Sequence, residues 1–503
     1  MNNENKNSKC SGIDRRDLLK TAGITAGAVG LLGLGQRAIA AKNDAGQSST
    51  SKPRKKIKIG FIGGGSQTWA PRIIRDIVCK PELENVKIEF ALIEIHMGRA
   101  KAIHELFKVK FREWGVSDRV STYPTLDPVK GLTDADFIII AISTGRLPAM
   151  SHDLAIPEKY SIYQTVGDTC GPGGWARNLR NFPVFEAYAK QIKQLAPNAF
   201  VLNYTNPLAA LTKVLANELG ADRVVGLCHG LFACYHVFMK IFDLEREDQI
   251  KVRFGGVNHF FWILDFKIDG QDGYKLLDEK LKGRKTEEFK AAQDDPLGFK
   301  SNKLLTLELF ENYGLMPYVG DRHTCEFFGC YLNDKQMMSR FKLKRTTIAE
   351  REVGYVNGAR DIQKWTDNPG GLSNSSSTES AADMINAIIY DEPYTDVVNL
   401  VNQGQISNLP MGAIVETLGR VDSQGFVPYT VGPLPDKIKA VVHPHAEVQL
   451  RTVDAYLAGD VDEALMTLAA EPACSHLTVS DSKKMGIELL KAHKKFLPKF
   501  YKG

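Results

Sequence analysis

Cys228 and His229 stand side by side in Val224–Leu231, which reads Val-Val-Gly-Leu-Cys-His-Gly-Leu, and a second imidazole follows at His259 in Gly256-Val-Asn-His-Phe-Phe-Trp. A thiolate and an imidazole drawn from separate elements, with coordination positions left open, suit a catalytic divalent metal better than a structural one. Cysteine is also a common core residue, so the pair gains meaning only from what positions it. Val224–Leu227 has the β-branched, apolar character of a buried strand end, and the segments upstream repeat that pattern.

Short apolar runs at Ile57–Ile62, Lys87–Ile93, Phe137–Ile142, Ala199–Tyr204 and Arg223–Leu227 alternate with helical segments. This predicts a Rossmann-like, doubly wound parallel sheet followed by a mixed α+β C-terminal domain, an α/β architecture of the lactate/malate dehydrogenase kind. The first run is followed by Gly63-Gly64-Gly65-Ser66 and a helix starting near Pro71. Glycines let the backbone approach a pyrophosphate, and the helix N-terminus supplies N–H groups and a positive dipole end. Thr68 stands where the third glycine of G-x-G-x-x-G belongs. The second run ends at Glu94, about 30 residues after the loop, where a carboxylate would accept ribose hydroxyls and disfavour a 2′-phosphate; the usual spacing is about 20. NAD rather than NADP is expected. The third run ends in Ser143-Thr144-Gly145-Arg146 and the fourth in Asn203-Tyr-Thr-Asn206-Pro207. Polar or glycine residues thus close every strand at the carboxyl edge, where open α/β sheets bind ligands, and Ser143 is counted with the cofactor residues.

A soluble globular composition over 503 residues implies about two domains. The first forty do not belong to the core. Asp14-Arg15-Arg16-Asp17-Leu18-Leu19-Lys20 precedes a glycine- and alanine-rich run, and Ala38-Ile39-Ala40 offers a small-x-small cleavage site, the pattern of a twin-arginine export signal. Residues 1–40 are read as that signal and 41–56 as a polar linker, with 57–250 as the NAD-binding domain and 251–503 as a C-terminal catalytic and oligomerisation domain. A periplasmic or otherwise exported address follows, with no stable membrane span after signal removal. The signal carries six Lys/Arg and three Asp/Glu, so most of the formal charge of +5 leaves with it. No nucleic-acid surface is implied. The eight cysteines have no repeated spacing, and Cys10 goes with the signal, which argues against a disulfide framework and leaves Cys228 free to ligate.

In this order and spacing the motifs resemble the NAD- and metal-dependent glycosidases of glycoside hydrolase family 4. The stretches that carry the likeness are Gly63–Ser66, Asp153–Tyr160, Gly167–Arg180, Asn203–Pro207, Cys228-His229, Asn258-His259 and Val401–Pro410. The resemblance implies that Cys228 and His259 hold a divalent metal, manganese for preference, which chelates the sugar's 2- and 3-hydroxyls, and that Asn206 contacts the same hydroxyls. His after the cysteine goes with unphosphorylated α-glycosides, and makes His229 the acid that protonates the departing oxygen. The base lies in the region of Gly320–Glu326, where a tyrosine is not obvious; Asp321 is favoured ahead of His323. A homodimer or homotetramer is also implied.

Direct displacement at an anomeric carbon needs a set pair of carboxylates, and this family is a known exception. Oxidation of the 3-hydroxyl by NAD acidifies the proton at carbon 2, and a Lewis acid stabilises the enediolate. Elimination, water addition and re-reduction then complete a turnover. Cys-His-Gly resembles the subfamily acting on uronides, α-glucuronosides or α-galacturonosides. A carboxylate substrate needs a guanidinium; Arg322 is well placed for it, with Arg146, Arg177 and Arg180 as others. An α-galactosidase or α-glucosidase of the same mechanism, a hydroxy-acid or sugar dehydrogenase and a non-catalytic sugar sensor are the alternatives.

Overall fold

The computed structural model describes residues 56–281 and 303–501, apart from Ser376 and Thr378. The signal expected at 1–40 and nearly all of the linker lie outside the described residues. Twelve strands, β1 (Lys56–Ile62), β2 (Lys87–Ile93), β3 (Val120–Thr125), β4 (Phe137–Ile140), β5 (Phe200–Asn203), β6 (Val224–Gly226), β7 (Ile250–Val257), β8 (Phe260–Ile268), β9 (Gln271–Asp272), β10 (Tyr394–Val401), β11 (Ile414–Asp422) and β12 (Gly425–Pro428), form one sheet. Its order is β3-β2-β1-β4-β5-β6-β10-β11-β7-β8-β9, with β12 beside β11.

The first six strands pair in parallel, the doubly wound half expected from the alternation of strands and helices. Their side chains divide between two cores. Phe137, Ile139 and Leu202 face the apolar cluster that contains Ile73, Ile77, Ile103 and Ile385. Ile138, Ile140 and Val201 face the other, which contains Leu179, Leu211, Val453 and Leu468. Period-2 alternation with apolar residues on both faces is what a sheet covered by helices on both sides requires. β3 escaped the sequence reading because its polar run Val-Ser-Thr-Tyr-Pro-Thr is an edge strand whose outer face is partly exposed, the place where a sheet tolerates proline. The first helix is Trp69–Val78 rather than one starting near Pro71.

The reading placed a domain boundary at residue 250, and there the sheet changes direction without a break. β10 lies antiparallel to β6, and β11 antiparallel to both β10 and β7. The joins are narrow: Asn399 pairs with Gly226, and Glu416 with Gly256. The β7–β8 hairpin packs on the helices Gly230–Phe242 and Leu304–Tyr313 through a third cluster that includes Phe238, Phe261, Phe266 and Phe310. No helix among the described residues is long and apolar enough to cross a membrane.

Candidate active site

The glycine loop is fixed by close approach. Gly63 has φ of +87°, and a Cβ there would lie 2.3 Å from the Ala141 carbonyl oxygen. The backbone N–H groups of Gly63 and Gly64 both donate to the Ile93 carbonyl, at 2.8 and 3.1 Å, which ties the loop to the end of β2. Ser66 Oγ accepts from the Trp69 N–H at 3.1 Å and holds the first turn of the helix. A Cβ on Gly65 would stand 2.7 Å from Glu94 Oε2 and 2.8 Å from Arg99 Cβ. Glu94 is thus brought to the loop, its other oxygen held by the Ile95 N–H at 2.9 Å. Ser143 begins the next turn, its carbonyl accepting from the Arg146 N–H at 3.1 Å.

Cys228 follows β6, and His259 occupies the two-residue turn between β7 and β8 with φ of +63°. A non-glycine side chain in that region is uncommon; here Thr169 Oγ1 meets its Nδ1 at 3.0 Å and the Tyr318 ring stacks on it at 5.7 Å between centroids. The His323 ring lies 4.1 Å from His259. Tyr318 also packs at Gly230, two residues after Cys228, where an added Cβ would meet its ring at 3.1 Å. Burial pushes the Cys228 thiol well above its usual range, with the carboxyl of Glu416 adding to the shift. All the described cysteines are free thiols.

Glu416 on β11 is buried, and its Oε2 accepts from Asn258 Nδ2 at 2.8 Å. Burial raises its carboxyl to about 7. His229, half exposed, lies 3.4 Å through Nδ1 from the buried Glu379; that contact raises the imidazole's basicity against the opposing effect of burial. The histidine is therefore inclined to carry a proton, which an acid requires. Burial lowers His259 far below the usual imidazole range, and His323 is lowered for the same reason. Both imidazoles are neutral at pH 7, the form that ligates a metal or accepts a proton.

Asp321 is held by neighbouring groups. Its Oδ2 accepts from the Leu305 N–H at 3.0 Å, and its Oδ1 from the Thr306 N–H at 3.1 Å and the Thr306 hydroxyl at 2.5 Å. It caps the helix Leu304–Tyr313, whose first N–H groups have no partner within the helix, and burial raises it to about 6. His323, whose buried Nδ1 has no hydrogen-bond partner, is the member of that segment that reaches the cluster. Asp168 stands nearby. Burial opposes its ionisation, but Arg177, then His323, His259 and Arg351, outweigh that and hold it below the usual carboxylate range.

The arginines separate by partner. Arg180 is fully buried and bound to Asp153, with Nη1 and Nη2 each 2.6 Å from a carboxylate oxygen; it is structural, contrary to its inclusion among the substrate candidates. Arg177 Nε donates to the Asn206 carbonyl at 2.9 Å, which fixes the loop of Asn206 beside the site. Arg146 lies over the Tyr355 ring at 5.4 Å. The Arg322 side chain is exposed, while its carbonyl accepts from the Thr165 hydroxyl. The sequence reading gave no role to Asp168, Tyr318, Arg351, Glu379 or Glu416. Asp168 sat inside a quoted motif and was within reach; Glu379, just before the helix Ala381–Tyr390, and Glu416, on β11, come from segments distant in the chain, with no local signal.

The family described as Family 4 glycosyl hydrolase matches residues 58–244, and its C-terminal domain matches residues 254–474. The chain belongs to family 4 of the glycosyl hydrolases. Within the family it is 30% identical to an alpha-galacturonidase of Thermoanaerobacter italicus over 88% of this chain and 97% of that one. It is 29% identical to an alpha-galactosidase of Bacillus subtilis over 88% and 99%. The crystal structure of lplD from Bacillus subtilis superposes with a TM-score of 0.78 at 29% identity, covering 86% of this chain and all of the other. A 6-phospho-alpha-glucosidase from gut microorganisms, solved with NAD and Mn2+, shares the fold with a TM-score of 0.73 at 20% identity over 88% and 99%. Family 4 membership makes the chain a glycosidase with the expected α/β fold.

Proposed function

We propose that this glycosidase cleaves unphosphorylated α-uronides, α-galacturonides first, by redox-assisted elimination. The observation that carries the reading is the packing of His259 and His323 on the Tyr318 ring, which also lies against Gly230, two residues after Cys228. The residues present fit both groups. Gly63–Gly65 lie so close to Ala141, Leu92 and Glu94 that none has room for a Cβ, the tight glycine turn that lets backbone N–H groups approach a pyrophosphate, with Glu94 beside it for the ribose of NAD and Ser143 at the neighbouring strand end. Cys228 and His259 offer the soft and borderline donors of a divalent metal such as manganese. When bound, NAD supplies a hydride acceptor for the 3-hydroxyl and the metal supplies Lewis-acid polarisation of the sugar oxygens. The likeness to relatives described as alpha-galacturonidases and to a structure solved with NAD and Mn2+ supports this assignment.

The chain's own residues then divide the work. Asn206 orients the sugar hydroxyls from a loop held by Arg177. His323, neutral and with an unpartnered ring nitrogen, takes the proton from carbon 2 in place of Asp321. His229, kept basic by Glu379, delivers a proton to the leaving oxygen. Arg322 and Arg146 supply positive charge at the rim. The Arg15-Arg16 signal supports export to the periplasm, and by family likeness the protein works as a homodimer or homotetramer on a small carbohydrate.

Hydrolysis in D₂O tests the route. Elimination breaks the carbon 2 bond to hydrogen and must restore it from water, so the product carries deuterium at carbon 2, whereas displacement at carbon 1 never touches that bond. His323→Gln should suppress exchange and cleavage together, while Asp321→Asn slows neither selectively. Product without deuterium at carbon 2 removes the mechanism.

A further inference from the structure

Arg351 belongs to the helix Ile348–Asp367, whose start is fixed by a capping box of Thr347 and Glu350. Its Nη2 donates to the Val166 carbonyl at 3.0 Å, and its Nε is buried without a hydrogen-bond partner. A guanidinium carries five N–H donors in a fixed fork, and a buried donor left unmade is destabilising. The segment it grips is the one that reaches the metal ligand. Thr165 binds the Arg322 carbonyl, Thr169 Oγ1 bonds Asp168 Oδ1 at 3.0 Å, and the same Oγ1 meets His259 Nδ1.

Charge at this place is unbalanced. Three guanidiniums, Arg177, Arg322 and Arg351, gather here with two acids, Asp168 and the buried Glu326. Glu326 is already taken up by the Val166 and Gly167 N–H groups and the Thr165 hydroxyl. Arg177 is already engaged by Asn206, and Arg180 by Asp153. Arg351 is therefore the half-buried guanidinium in this group that still has a free donor facing away from water.

We propose that Arg351, with Arg322 beside it, reads the carboxylate at carbon 6 of the sugar and so sets the choice of uronide over neutral hexoside. The proposal rests on the uronide reading above. A planar carboxylate can take two N–H groups of one guanidinium at once, which an ammonium cannot reproduce, and a hydroxymethyl group in its place would leave the buried donor and the surplus charge unanswered. A phosphate at carbon 6 can also take a guanidinium fork, but it is bulkier and carries more charge than a carboxylate, so the phosphorylated sugar is a separate arm of the test.

The experiment uses the full enzyme with NAD and manganese, and three p-nitrophenyl substrates: the α-galacturonide, the α-galactoside and the 6-phospho-α-galactoside. For Arg351→Met, the ratio of kcat/KM for the galacturonide over that for the galactoside should fall about 100-fold, since a site built around a substrate's polar group discriminates strongly against its absence. Arg351→Lys should recover only a small part of that ratio, and Arg322→Met should lower it less. Thermal melting of each variant identifies any that fail to fold, and the lysine variant keeps the charge and the reach to Val166. An unchanged ratio in Arg351→Met, with wild type hydrolysing the galacturonide, overturns the role of Arg351 while the uronide reading stands. Wild type that turns over the galactoside or the phosphorylated sugar but not the galacturonide overturns both.

Discussion

Replacing Gly65 by alanine probes the placement of the cofactor's ribose with one methyl group. Gly65 has no left-handed φ, so backbone strain is not the issue. The added Cβ meets Glu94 Oε2 at 2.7 Å and Arg99 Cβ at 2.8 Å. The carboxylate is the end of a flexible side chain and yields to the first contact, whereas Arg99 Cβ is fixed to its helix, so the second contact also moves the Gly65 backbone. If that carboxylate accepts the ribose hydroxyls, its displacement removes a charge-assisted hydrogen bond worth about 1.5–3 kcal/mol, and NAD affinity falls about 10- to 150-fold at about 1.4 kcal/mol per decade. The assay is titration calorimetry of NAD into Gly65→Ala, Glu94→Ala and the double variant. Both single changes should weaken NAD, and the double variant should lose less than the sum of the two, because they share the Glu94 interaction while the Arg99 contact leaves Gly65→Ala a part of its own. Gly63→Ala is the contrast: its Cβ would strike the Ala141 carbonyl oxygen at 2.3 Å from a φ of +87°, which lowers stability outright. Unchanged NAD affinity in Gly65→Ala, or full additivity with Glu94→Ala, refutes the placement.

Cys228→Ser and His259→Ala should each lower manganese affinity, read by metal titration of chelator-treated protein, and leave NAD binding near wild type because neither belongs to the glycine loop. Full activity of either variant after chelation would end the metal assignment. Against His445, which burial lowers to about 4 and which makes stability rise with pH, burial raises Glu326 and Glu471 from about 4.5 to about 7 in the fold, so each makes stability fall as pH rises. Between those values the folded chain holds protons that the unfolded chain has released, so each glutamate contributes a loss of at most about 3 kcal/mol as pH climbs to 7, with little change above. Glu471→Gln should lose the share of that fall which Glu471 contributes. Urea midpoints of wild type and Glu471→Gln at pH 5.5 and pH 8 isolate that group; a variant whose midpoint changes with pH just as the wild type's does would contradict the reasoning.

The parallel half of the fold was legible because buried strands advertise themselves as β-branched runs with glycine or polar residues at one end. β3 was not, since an edge strand with one wet face keeps a polar composition. Site residues divided by the range of their signal. Cys228, His229 and His259 lie in short motifs tied to strand ends, while Glu379, Glu416 and Arg351 enter from segments that only the sheet order brings near. Asp321 misled because an acid beside a candidate site reads the same whether it meets substrate or caps a helix; the partners, Leu305 and Thr306, lie 16 and 15 residues away and are invisible to a motif. Arg180 misled in the same way, as its guanidinium is claimed by Asp153.

The order of the strands also sets a timetable. β6 and β7 are consecutive in the chain, yet β10 and β11 lie between them in the sheet. Both candidate ligands, Cys228 after β6 and His259 after β7, leave the ribosome well before the two strands that fix how far apart they stand, and domains are built from the N-terminal end during synthesis. Adjacent strands are about 4.8 Å apart, so a nascent chain ending short of β11 has the donors without the spacer that sets their separation. If Cys228 and His259 hold the metal, its capture is a late event that follows a finished sheet, and manganese affinity reads whether the strands between them have docked.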